Sequence, residues 1–397
     1  MKILFLAPQP FFQVRGTCLA TLRMLETLSR MGHTIDLLTF PGGAERSVDH
    51  VHARTVPNPF GIRRVPIGPS FAKAVLDLSL ACSLFTSLVR RRCDVVHAGE
   101  EAAFIAALLC PLFRVPFLYD MDSHLTDQLR ESGFVKNRFL LRVLVRWEKS
   151  VFRRASAVTV ITPGFRELVN EIRGDDRVFL IEDIPIAQEW GDARSSRRTL
   201  RAREALADDP VVVYTGNLAT YQGVALLVAS IPVVLAKLPS ARFAIIGGEE
   251  RDVEDIRKRA RAHGVEHAVI LTGVLPLEVI AGELADADVL VSPRLTGENT
   301  PFKVYEYMAA GRPVVATDLP MHRPVLGEET AFLSPPDPAS FGAAIVRALT
   351  DKDEAAARAR RAKTKVESLY SIEQYEAKVS ALYSSLAEDA GHERSSK

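Results

Sequence analysis

The chain has 397 residues, 47% hydrophobic and 25% charged, a globular make-up too long for one comfortable core, so two domains are expected. Fifty Lys and Arg nearly cancel 49 Asp and Glu, which leaves no global field to attract nucleic acid, and the four cysteines lack the spacing of a metal site or a disulfide framework. The start, MKILFLAPQP, is interrupted by Pro8 and Pro10 too early for a signal-peptide core. The apolar stretches 74–89 and 102–119 are broken by Asp77 and by Pro111, Arg114 and Pro116, so neither is expected to span a membrane. The expectation is a cytoplasmic protein, free or peripheral on the inner face of the membrane.

KILFLA reads as a first strand, followed by a helix with Leu19, Leu22, Leu25 and Leu28 at three-residue steps, then Gly32 and the strand TIDLLTF. Further strands are read at DVVHA (94–98), PFLYD (116–120) and AVTVIT (157–162), with helical stretches between them, the pattern of a parallel sheet covered on both faces. A dinucleotide-binding reading is disfavoured, because LFLAPQPFFQVRGT lacks G-x-G-x-x-G and TIDLLTFPGG does not end its strand in an acid. His97 closes DVVHA, and His124 follows Asp120 and Asp122 at the end of PFLYD. That acidic pair could hold a divalent cation, but no metal site is assigned.

Residues 134–154, FVKNRFLLRVLVRWEKSVFRR, combine apolar bulk with Arg138, Arg142 and Arg146 at four-residue steps. This reads either as a domain helix with a solvated basic face or as a helix that meets an anionic membrane surface. Between 184 and 210 the pattern fades into a polar, arginine-rich connection. A second series then begins at VVVYTG (211–216) and continues through ARFAIIGG, AVILTG, ADVLVSP and PVVAT. The turn TGNLATYQG places Gly216 and Gly223 where backbone can approach a ligand, and Gly247 and Gly248 do the same after the next strand. The fold class is therefore α/β with two Rossmann-like domains, 1–188 and 189–370, facing a central cleft, and a last helix at about 371–390.

The densest motif is GENTPFKVYEYMAAGRPVVAT, residues 297–317. It sets Glu298 and Glu306 with seven residues between them. Thr300 reads as a helix N-cap with Pro301 at the first helical position, and Gly311 and Pro313 close the far end. Lys303 stands in the first turn, where a cation opposes the helix dipole unless an anion lies against the same amides. A phosphate fits that requirement.

This wording resembles the E-x7-E signature of glycosyltransferase family 4, retaining enzymes of GT-B architecture. The resemblance implies a nucleotide-diphosphate-sugar donor as co-substrate, no metal or other cofactor, and a hydroxyl acceptor such as a lipid-linked glycan or cell-surface polysaccharide precursor. It implies that Glu306 holds the ribose hydroxyls and that Glu298 contacts the donor sugar, with Asn299, Thr300 and Pro301 beside it. Lys303 would reach the diphosphate, Gly216 and Gly248 would let the donor approach, and Gly16, after Arg15, would line the phosphate and acceptor side. His124 would stand near the donor sugar and the acceptor, and the last helix would cross back to the first domain.

One departure matters: where the family carries an arginine and a lysine to neutralise the leaving diphosphate, this chain has Asn217 and Gln222. Lys303, Arg294 and Arg15 are the replacements at hand, since charge stabilisation is usually the largest catalytic effect. Two alternatives stay open: a sugar-nucleotide epimerase of the same architecture, and a weak or non-catalytic homologue that only binds nucleotide sugar.

Overall fold

A computed structural model describes all residues except 14, 45, 63–64, 66–69, 91, 132–134, 136, 187–198, 207 and 396–397. Two compact units emerge, the first comprising Met1–Gln13, Thr17–Glu182 and Glu373–Lys397, the second Asp183–Ile372 together with the short stretch that holds Arg15 and Gly16.

The first unit runs β1 (Lys2–Pro10), α1 (Gly16–Arg30), β2 (Thr34–Phe40), β3 (Val51–Thr55), α2 (Phe71–Val89), β4 (Val95–Gly99) and α3 (Ala102–Phe113). It continues through β5 (Phe117–Met121), α4 (Leu125–Glu131), α5 (Arg138–Arg154), β6 (Ala157–Val160), α6 (Pro163–Arg173) and β7 (Val178–Leu180). All seven strands pair in parallel, in the order β3-β2-β1-β4-β5-β6-β7. Except for Lys2, every residue of β1 is buried, as a strand with helices on both faces requires. Its side chains alternate between two layers. Leu4 and Leu6 join a core with Leu76, Leu80, Leu84 and Leu88 of α2 and with residues of α3, α5 and α6, whereas Phe5 stacks on His97 at 4.0 Å on the opposite face.

The second unit runs α7 (Leu200–Arg203), β8 (Val211–Thr215), α8 (Val224–Leu235), β9 (Arg242–Ile246), α9 (Glu250–Ala262), β10 (Val269–Gly273) and α10 (Leu277–Asp286). Then follow β11 (Val289–Ser292), α11 (Phe302–Ala309), β12 (Val314–Thr317), β13 (Phe332–Ser334), α12 (Pro338–Thr350) and α13 (Lys352–Leu369). The strand order is β10-β9-β8-β11-β12-β13, again parallel, so β8 and β11 sit side by side and the loops after them leave the sheet together.

The final helix, α14 (Ile372–Ser395), belongs to the first unit apart from its opening residue. Tyr383 Oη lies 2.8 Å from His97 Nδ1, Arg30 Nε donates to Glu376 Oε1 at 2.7 Å, and Lys378 Nζ donates to Glu182 Oε2 at 2.5 Å.

Several local expectations change. β3, β7 and β13 are strands that the apolar pattern does not announce, and AVTVIT stops pairing at Val160, leaving Thr162 to cap α6 by accepting from Phe165 N. The basic helix starts at Arg138, capped by Asn137, while Phe134 and Lys136 lie outside the described residues. Asp77 does not break the stretch 74–89: α2 is one helix with the length and apolarity of a membrane span, yet four of its leucines are buried in the unit's own core.

Candidate active site

In the second unit the residues singled out by sequence gather on the β8–α8 and β11–α11 loops. The N-cap of α11 is Pro301, one residue later than expected, and no side chain caps the first turn. Thr300 therefore does not cap. Its hydroxyl is buried, with no hydrogen-bond partner among the described residues.

Lys303, in the first turn of α11, is partly buried. Its ammonium sits 3.8 Å from the centre of the Tyr214 ring and donates to Gln222 Oε1 at 3.0 Å. Room for it comes from Gly216, whose φ is +133° and whose missing Cβ would stand 2.9 Å from Lys303 Nζ. Arg294 is buried, donating from Nε to Thr296 O and from Nη2 to Asn299 Oδ1, both at 2.8 Å, with its guanidinium 5.3 Å from the centre of the Tyr221 ring. Gly297, at φ +116°, lets the loop pass over that guanidinium: a Cβ there would meet Nη2 at 2.2 Å. Burial and then the charge of Arg294 push the Lys303 ammonium well below the usual lysine range, and burial also lowers the Arg294 guanidinium. Neither cation has a carboxylate partner among the described residues.

The two departures from the family pattern have different local roles. Asn217 folds back on its own loop, accepting from Ala219 N at 3.1 Å and donating to Tyr221 Oη at 3.3 Å. Gln222 is buried and supplies the neutral oxygen that Lys303 grips, where a lysine would set two ammonium groups against each other. Gly248 ends the β9 loop at φ +83° against Leu218. Glu306, buried two turns into the motif, accepts from Ile186 N at 2.7 Å, while Glu298 is exposed on the preceding loop. Sequence reasoning missed Tyr214 and Tyr221, the aromatic seats of the two cations. The signal was present in VVVYTG and TYQG, each an aromatic beside a glycine turn.

Gly16 opens α1 and Arg15 precedes it, in the short stretch that groups with the second unit, whereas His124 belongs to the first. His124 is held by three groups: Nε2 lies 3.0 Å from Glu148 Oε2, Nδ1 contacts Asp127, and Thr126 Oγ1 bridges to Glu148 at 2.5 Å. Burial alone would lower the imidazole, but hydrogen bonds and charge from Glu148 and Asp127 outweigh it and hold the pKa up to about 9. This side chain is an imidazolium at neutral pH. Because its pKa is raised on folding, the stability it adds is complete below its ordinary 6.5 and is lost as pH rises through about 9. Glu148→Gln should bring the His124 titration back toward 6.5, followed by NMR of the ring protons. An unmoved titration would show that Glu148 does not hold the charge. Buried His97 and partly buried Asp120 form a separate pair at 3.1 Å, with Thr159 on the other Asp120 oxygen at 2.5 Å. That carboxylate is committed to the fold, held below its usual range because the His97 and Thr159 contacts outweigh burial.

Comparison with known proteins supplies the class. A family model described as "Glycosyl transferase 4-like domain" matches residues 15–183, and one described as "Glycosyl transferases group 1" matches residues 209–351. The chain belongs to the GT-B glycosyltransferases, in the family 4-like group. It is 24% identical over 322 residues to sulfoquinovosyl transferase SQD2 of Arabidopsis thaliana, covering 79% of this chain and 58% of that protein. It is 25% identical over 361 residues to phosphatidyl-myo-inositol mannosyltransferase of Propionibacterium freudenreichii, covering 88% and 87%. The match spans 49 to 59% of the length of three of its relatives. Among solved structures, Anabaena HepE in complex with UDP-glucose superposes with a TM-score of 0.73 at 17% identity, over 97% of this chain and all of that one.

Proposed function

We propose that this chain is a retaining glycosyltransferase that moves a sugar from a nucleotide-diphosphate donor to the hydroxyl of a lipid-linked glycan, without a metal. The carrying observation is the pair Lys303 and Arg294, two adjacent cations with aromatic and neutral polar partners and, among the described residues, no carboxylate to balance them. Partly desolvated cations left uncompensated in this way suit an anionic ligand. A diphosphate at the uncapped start of α11 would meet the Lys303 ammonium, the first-turn amides and the orphaned Thr300 hydroxyl together. As the sugar leaves, negative charge builds on the diphosphate, and fixed cations stabilise that charge more than they stabilise the bound donor. Glu306 and Glu298 take the ribose and the sugar.

The UDP-glucose bound by HepE makes that donor the first to test, and the phosphatidyl-linked acceptor in the name of the Propionibacterium relative supports a lipid carrier. The test is a thermal-shift panel of nucleotide sugars, followed by incubation of the stabilising donor with and without acceptor and assignment of product anomers by NMR. A glycoside with the donor's anomeric configuration is expected. An epimer formed from donor alone, or binding without turnover, would replace this reading with one of the two alternatives.

A further inference from the structure

The outer side of the first unit's helical layer carries an exposed apolar face that the reaction does not use. On α2, Phe71, Leu78, Phe85 and Val89 are 48 to 84% exposed. At 3.6 residues per turn, these four and Cys82 fall within a sector of roughly 60°. The stripe runs the whole helix, and no charged residue of α2 is exposed, since Lys73 and Asp77 are both partly buried. It continues onto α3 through the edge-to-face contact of Phe85 with Phe113 at 5.6 Å, and there Leu108 and Leu112 are 52% and 72% exposed.

Beside it lies α5, joined to α3 through Phe104 and Trp147, whose exposed face mixes Phe139, Leu140 and Val143 with arginines. Arg90, Arg92 and Arg114 border the apolar end of α2 and α3. The two acids within these three helices, Asp77 and Glu148, are partly and fully buried, so none of the exposed residues on them is acidic.

We infer that this layer is a docking surface for an anionic lipid bilayer, in which α2 and the end of α3 dip among the headgroups while the α5 arginines lie against lipid phosphates. The helices lie in the plane of the surface and do not cross it, because Leu76, Leu80, Leu84 and Leu88 of α2 are committed to the core. Charge separates this occupant from a second copy of the chain: a two-fold contact brings a patch against itself, and helices whose exposed charges are all arginine or lysine would repel their own image. The inference deepens the lipid-linked reading above but stands on the first unit alone.

Cys82 offers a direct probe, being exposed on the stripe, while Cys18 and Cys110 are buried and burial pushes the Cys93 thiol up to about 11. The Cys93→Ser protein, labelled at Cys82 with a polarity-sensitive fluorophore, is mixed with phosphatidylcholine vesicles with and without phosphatidylglycerol. A blue shift and co-sedimentation on the anionic vesicles, reversed by salt, are expected. Arg142→Glu and Arg146→Glu should each weaken partition by at least roughly fivefold. Leu78→Asp with Val89→Asp should weaken it by roughly tenfold or more while leaving nucleotide-sugar affinity unchanged. No blue shift, or equal recovery on neutral vesicles, overturns the inference. So does a dimer in ultracentrifugation that Leu78→Asp and Val89→Asp dissolve. Loss of donor turnover with vesicle binding intact would sink only the proposed reaction.

Discussion

Lys303→Met is expected to lower kcat/KM for sugar transfer by roughly 10²- to 10³-fold, mostly in kcat, and at the same time to raise the unfolding midpoint of the ligand-free protein. Both effects have one cause. The ammonium is partly desolvated against Tyr214 and meets the Gln222 oxygen and the repulsion of Arg294, so its protonated form is disfavoured on folding. A lysine whose folded pKa lies below its unfolded one costs stability at neutral pH, a penalty that fades as pH rises from the folded toward the unfolded value. Methionine keeps the contact with the ring and removes the penalty. If a leaving diphosphate lies against Lys303 as proposed, the same substitution removes a cation that matters more as charge develops. A rise in KM alone would make Lys303 a ground-state anchor. A fall in the midpoint would make its bond to Gln222 a structural tie.

Glu306→Gln and Glu306→Ala should separate two roles of one carboxylate. Glutamine keeps an acceptor for Ile186 N and loses the charge that would pair with ribose hydroxyls, so donor affinity should fall by about 1 to 3 kcal/mol with little change in stability. Alanine also leaves a buried amide without its partner and should cost a further 1 to 3 kcal/mol or so in folding. Calorimetry with the nucleoside diphosphate, alongside denaturant unfolding, reads both. Wild-type affinity in the glutamine variant would remove Glu306 from the donor site and leave it a strut for the chain entering the second unit.

The central strands were legible because strands buried on both faces are runs of apolar residues, and β1, β4, β8 and β11 read that way. The edges were not. β3 is VHART, largely exposed at the rim of its sheet, and β7 and β13 have three residues each, too short for any period to show. Lys303 was read from the motif around Glu298 and Glu306 and Arg294 as a substitute for the missing cations, and the structure sets both beside tyrosines of the β8–α8 side. What sequence could not convey is distance: Gln222 reads as a lost cation until Lys303, 81 positions later, is seen to hold its oxygen. Glu148 hid for a similar reason, as a single acid inside an arginine-rich helix whose inward turn brings it to His124.

The return of α14 to the first unit sets an order on how the chain can mature during synthesis. Domains generally fold as they leave the ribosome, the earlier one first. Here the earlier unit cannot finish first, because His97 waits for Tyr383, made 286 residues later, and Glu182 waits for Lys378. The second sheet, contiguous from β8 to β13, can close while the first still lacks a helix over the His97 face. A nascent chain stalled before Ile372 would therefore carry a complete second unit and an open first unit, the state in which chaperones should find it.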